Sequence, residues 1–296
     1  MIASPLLARP HLRERHATVL SRIRDLVSAT DVTPSSIESI ADACAHELTV
    51  SQLSDLLQTP NIEGHTALYW AIVNHRQEVF WTFKSFISKF SSKCSSDLRL
   101  ACMRTSDHAL FWKLNFQNTD AQDESLRQFL GCPQDEIEVH NVAELDDNQF
   151  VVSFHIRMFQ KRLCTTRRLN YDFVARGRIW SFCFEMGSKG KWIAGFGLSS
   201  PSLPVSTVCY SLLLETRTTK GESGRETPPK RVFEGVNRKC ELRTHVPMGY
   251  TGDVDGEKYF WSNWKLGDHL VTYDDPTDVD CGNILHAKLE VTIEEK

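Results

Sequence analysis

The residues best equipped for chemistry fall into four groups. Arg157, Lys161, Arg162, Arg167, Arg168, Arg176 and Arg178 share a span with a single acid, Asp172. A basic block of this kind binds nucleic acid when exposed aromatics are interleaved with it. The aromatics here alternate in phase with a strand, so the block is expected to be a solvated sheet face opposing an acidic stretch. Asp253-Val254-Asp255-Gly256-Glu257 and Asp274 to Asp280 offer oxygen ligands for a hard cation, but neither has the spacing of a calcium loop, and both are expected to be polar turns. Tyr259 to Trp264 contains Trp261 and Trp264, which would make a stacking platform for sugar if exposed and a core plug if buried.

The fourth group is the 11 histidines and nine cysteines. The histidines form no HExxH, and no nucleophile elbow or phosphate-cradling glycine loop is present. Gly195-Phe196-Gly197-Leu198-Ser199 sits inside a strand pattern rather than at a strand-to-helix turn. The expectation is no enzyme activity, no cofactor and no metal site. The cysteines contain no CxxC pair, and several lie on apolar stripes, as reduced core cysteines do. A reducing, cytoplasmic compartment follows as the expected location.

Positioning these groups takes folded elements, and the composition supports them. Of 296 residues, 41% are hydrophobic and 24% charged, enough apolar material for a sizeable core. The formal charge of −4 and the pI near 6.3 remove the global basic field on which most nucleic-acid binding depends. No apolar run approaches the length of a membrane span, and the amino terminus is interrupted by Ser4, Pro5 and Arg9, so no membrane association and no export signal are expected.

The hydrophobic period changes along the chain. Before about residue 118, apolar residues recur three and four apart, as in Val19, Leu20, Ile23, Leu26 and Val27 and again in Val79, Phe80, Phe83, Phe86, Ile87 and Phe90. Ser35 or Ser36 is expected to cap a helix through Glu47, and Ser51 a short one through Gln58. After about residue 148 the period falls to two, in 150–158, 169–175, 180–186, 192–198, 208–214, 240–246 and 285–293, with 137–142 as a possible opening strand. Hairpin turns are expected at Arg176-Gly177 and at 187–190. The layout expected is an α-helical domain over 1–118, an acidic linker over 119–136, and an antiparallel β-sandwich over 137–296 with a mobile loop at 217–231.

Gly64-His65-Thr66-Ala67-Leu68-Tyr69-Trp70-Ala71 resembles the ankyrin-repeat string, with Ala67 for its proline and Tyr69 for its histidine. Ala43 and Ala101 echo Ala71 at nearly the repeat period. The strings Phe159 to Arg162, Tyr171 to Trp180, Lys191-Trp192 and Gly197 to Ser200 resemble uncharacterised fungal proteins in which a degenerate ankyrin-like helical segment precedes a β-rich domain. The order of that domain is similar to MATH/TRAF sandwiches. The resemblance implies an α+β two-domain protein with ankyrin-like repeats and a MATH/TRAF-like antiparallel β-sandwich. It implies a non-enzymatic adaptor for protein partners, rather than one for nucleic acid, a membrane or a small molecule. A lectin-like carbohydrate-binding sandwich is the alternative. Partner contact is expected at Asn61, Glu63 and His65, around the turn before the ankyrin-like string, and at Arg176 and Arg178 on the hairpin.

Overall fold

The computed structural model describes residues 8–29, 33–116, 120–140, 148–186, 192–203, 205–214, 230–240, 262–265 and 283–294. The loop at 217–229, the hairpin at 187–190, Trp261, residues 241–246 and both aspartate-rich turns lie outside them. The chain is mixed α and β and divides after Thr105 into two compact units, Met1–Thr105 and Ser106–Lys296. Among the described residues no helix is long and apolar enough to cross a membrane, and no group of three or more His, Cys, Asp or Glu is placed to hold a metal ion.

The first unit consists of α1 (Ala8–Ser28), α2 (Pro34–Glu47), α3 (Val50–Gln58), α4 (Ala67–Val73), α5 (Gln77–Ser85) and α6 (Ser92–Thr105). Their apolar stripes are the buried faces, with Val19, Ile23, Leu26 and Val27 on α1 and Val79, Phe80 and Phe83 on α5 all buried. The caps differ from the expected serines. Thr33 precedes α2 without a side-chain cap bond. Thr49 caps α3 through a reciprocal box with Gln52, because each side chain satisfies a backbone N–H that the helix leaves unpaired. α4 ends with His75 in the left-handed region at φ 56, so that the Arg76 N–H donates to the Ala71 carbonyl at 2.7 Å.

The alanine spacing is more regular than the string suggests. Ala41, Ala71 and Ala101 stand thirty residues apart and are all buried, whereas Ala43, the expected member, is half-buried. α4 packs against α1, α5 and α6, and Ala71 is fully buried within that packing. Ala71→Leu is expected to overpack this contact and cost about 1 to 3 kcal/mol. A denaturant midpoint equal to wild type would show that the site has room for the larger side chain.

The second unit opens with α7 (His108–Lys113) and α8 (Ala121–Phe129), continues with β1 (Glu136–His140), β2 (Gln149–Arg157) and α9 (Phe159–Thr166), and then runs through β3 (Arg168–Ala175), β4 (Arg178–Met186), β5 (Trp192–Leu198), β6 (Val205–Leu214), β7 (Lys230–Cys240), β8 (Ser262–Lys265) and β9 (Ile284–Glu294). The unit therefore begins before the change in period. α7 is helical in sequence but packs on β3, and a local pattern carries no information about which core a helix joins. The stretch expected as a linker holds α8. Lys230 and Arg231, expected in a loop, pair with Leu214 and Leu213 as the start of β7.

Among the described residues all strand pairings are antiparallel. They build a five-stranded sheet in the order β1-β2-β9-β6-β7 and a four-stranded sheet in the order β3-β4-β5-β8. Strands β2 and β9 alternate between buried and half-buried residues up to the exposed Glu294, so one face of their sheet enters the core. That core is shared by both sheets and is rich in aromatics: Phe154 of β2 lies 4.8 Å from Phe182 of β4, and Trp180 stacks on Phe196 at 5.0 Å. β3 and β4 bury their other face as well, including Asp172, Ser181 and Cys183. Burial raises the Cys183 thiol to about 12, so it behaves as a small core residue rather than a nucleophile.

Candidate functional site

The turn before α4 is built from a sequence with few alternatives. Thr59-Pro60 ends α3, and Ile62 and His65 then pair through two backbone hydrogen bonds of 3.1 and 2.9 Å. The two residues between them must turn tightly, and both adopt positive φ, Glu63 at 50° and Gly64 at 80°. Gly64 reaches that region without steric cost, whereas Glu63 does not. Both are exposed.

The base of this turn is held by one carboxylate. Asp97, on α6, accepts from the Thr66 backbone N–H at 2.7 Å and the Thr66 hydroxyl at 2.8 Å through Oδ2, and its Oδ1 lies 2.5 Å from His65 Nδ1. Thr66 Oγ1 in turn accepts from the Tyr69 N–H at 3.1 Å, capping α4. The His65 ring stacks on Tyr69 at 3.8 Å, and the Tyr69 hydroxyl accepts from Arg104 at 2.7 Å. Trp70 Nε1 donates to the Ile62 carbonyl at 2.9 Å.

Of the three residues expected at this turn, Glu63 is exposed at the tip, while His65 and Asn61 are half-buried and hydrogen-bonded within the unit. His65 is committed to Asp97 and Tyr69. Asn61 is half-buried and donates to the Leu56 carbonyl at 2.9 Å, closing the end of α3.

The two arginines of the hairpin also hydrogen-bond within their unit. Arg176 and Gly177 take φ of 50° and 66° in the two-residue turn joining β3 to β4, as expected. Arg176 then folds back, with Nε and Nη2 donating to the Gln149 carbonyl at 3.1 and 2.8 Å, while Gly177 N–H donates to the Ser106 hydroxyl at 2.8 Å. Arg178 donates to the Arg176 carbonyl at 3.2 Å. Both arginines are half-buried.

The basic block as a whole departs from a solvated face most sharply at Arg162. Phe159 and Leu163 stand four apart and, with Arg162, form the buried side of α9, a helix where strands were expected to follow one another. The Arg162 guanidinium is fully buried between two carboxylates from the acidic stretch. Nε and Nη2 donate to Asp123 at 2.8 and 2.6 Å, and Nη1 donates to Asp135 at 2.8 Å. Asp135 also accepts from the Arg157 N–H at 2.9 Å and the Tyr171 hydroxyl at 3.0 Å. Burial by itself would make the guanidinium easier to deprotonate, but the bonds to Asp123 and Asp135 outweigh it and hold the positive charge. Burial and the adjacent Asp135 charge push the Tyr171 hydroxyl well above its ordinary range, so it acts as a donor. This cluster is sealed, with both carboxylate side chains 3% exposed or less, and it ties α8, the residue before β1, α9 and β3 together.

Sequence reasoning did not find Asp97, Asp123, Asp135 or the role of Arg162. The signal for α9 was present in the four-residue spacing of Phe159 and Leu163, but nothing local paired its arginine with a particular acid. Trp264 lies in β8 opposite Ala194. No family model matches this chain, and no curated protein or solved structure matches it.

Proposed function

We propose that the chain is a non-enzymatic adaptor that binds protein partners, with ankyrin-like units in the helical part and a MATH/TRAF-like sandwich in the sheet part. The observation that carries the reading is the exposed Glu63-Gly64 tip on a base held by Asp97. A turn already ordered loses little conformational freedom when a partner docks, which favours its use as a contact point. The thirty-residue recurrence of buried Ala41, Ala71 and Ala101 supports repeat units behind it. Glu63 is the residue of this turn that can change without disturbing the frame.

The test uses the full chain to isolate a partner, which is then purified and titrated against wild type and Glu63→Arg. Surface substitutions away from special features usually alter stability by less than about 0.5 kcal/mol, and the positive φ of Glu63 is equally strained for arginine. The expected result is an unchanged thermal midpoint with affinity reduced by about tenfold or more, since the charge at the contact is inverted. Equal affinity in the variant would remove this turn from the interface.

A further inference from the structure

His108 opens α7 and reaches the edge strands of both sheets. Its Nε2 lies 3.0 Å from the Ile137 carbonyl on β1, and its Nδ1 accepts from the Val174 backbone N–H on β3 at 3.3 Å. Among the described residues β1 ends the five-stranded sheet and β3 ends the four-stranded one, so a single ring joins two sheet edges that there pair with a strand on one side only. Exposed edges invite strand addition and are ordinarily blunted by some device. Here the device is titratable. An acceptor at Nδ1 and a donor at Nε2 require the neutral ring with its proton on Nε2.

We propose that His108 is a proton-operated latch: the neutral ring holds α7 against both sheet edges, and protonation releases the edge of β3 at Val174. A proton on Nδ1 faces the Val174 N–H donor to donor, so the charged ring keeps the β1 bond and loses the β3 bond. The charged groups on the packed elements leave this balance intact. Asp107, which caps α7 beside the ring, favours the charged form, and Lys113 lies at the far end of that helix. On β1, Glu136 is occupied by Arg157 at 2.6 Å, and Glu138 is exposed beside His140. On β3, Asp172 is buried and accepts from Ser199 at 3.3 Å, and Arg176 in the turn after that strand donates to the Gln149 carbonyl.

Burial lowers the proton affinity of the ring, partly opposed by the Ile137 carbonyl and Asp107. The folded protein therefore takes up this proton at lower pH than the unfolded chain, whose histidine titrates near 6.5. The contribution of the latch is complete above that pH and is lost as pH falls from there through the folded value.

Nuclear magnetic resonance on the full chain tests this between pH 7.5 and 4.5, with amide exchange normalised to the unprotected rate at each pH. At pH 7.5 the ring nitrogen shifts should place the proton on Nε2. Protection at Val174 should hold until the ring titrates and then fall about tenfold per pH unit, while Leu289 in the middle of the five-stranded sheet keeps its protection. His108→Gln, which donates and accepts but does not titrate, should show no such fall. A proton on Nδ1 at pH 7.5, flat protection at Val174, an equal fall in the glutamine variant, or a parallel loss at Leu289 would each overturn the proposal. The ring measurement needs no variant to fold.

Discussion

Arg162→Met should lower the unfolding free energy of the sheet-bearing unit by about 3 to 5 kcal/mol, the usual cost of leaving buried charges without their partner. Methionine fills much of the volume, so the loss reports on electrostatics more than on a cavity. Asp123 and Asp135 would remain in the interior with no guanidinium between them, and only the Tyr171 hydroxyl and the Arg157 N–H would still donate to Asp135. The measurement is denaturant unfolding of the full chain followed by near-ultraviolet circular dichroism, where the buried Trp180 reports on this unit. A loss below about 1 kcal/mol would mean that the cluster rearranges to admit water. Combining Arg162→Met with Asp123→Leu and Asp135→Asn should recover most of the stability, since a buried ion cluster replaced by well-packed neutral groups is often no worse.

Asp97→Ala should cost about 2 to 4 kcal/mol in the helical unit. One carboxylate accepts from a backbone N–H and a hydroxyl of Thr66 and faces the His65 ring, and hydrogen bonds to a charged group are worth about 1.5 to 3 kcal/mol each before mutual compensation. Far-ultraviolet circular dichroism during urea unfolding checks it. Asp97→Asn, which keeps an acceptor, should lose less than half as much. Equal losses in the two variants would show that the charge, rather than the hydrogen-bond geometry, secures the turn. The variant also separates frame from contact: Asp97→Ala should weaken a partner that reads the tip although Glu63 is unchanged.

The elements of this protein were largely legible because periodicity is a property of the local backbone. Phe150, Val152, Phe154 and Ile156 alternate because a strand turns successive side chains to opposite faces, and β2 buries those four. Val79, Phe80 and Phe83 recur at helical spacing and form the buried side of α5. The hairpin at Arg176-Gly177 and the turn at Gly64 were readable from residues that accept positive φ or stand beside one that does. Glycine was a reliable marker at these turns but not at the left-handed residues His75, Asn115, Met158 and Arg167, whose conformation is imposed by the helix ends around them.

The sequence by itself therefore determined the helices of the first unit, the strands β1 to β6 and β9 with their core-facing residues, and the turns at Gly64 and Arg176-Gly177, whereas α8, α9, β7 and the second buried face of β3 and β4 were not read from it. Only the tertiary structure decided how the charged residues were used. Asp123 and Asp135 read as a linker and Arg162 as a surface cation, yet they meet in the interior, because an ion pair depends on which segments approach and not on the spacing within any of them. The same holds for Asp97 under the turn at 62–65, for His108 between two sheet edges, and for β9, the last strand, which lies between β2 and β6. Contacts across 27 or more residues follow from how whole elements pack, and a pattern that repeats every two or four residues does not encode them.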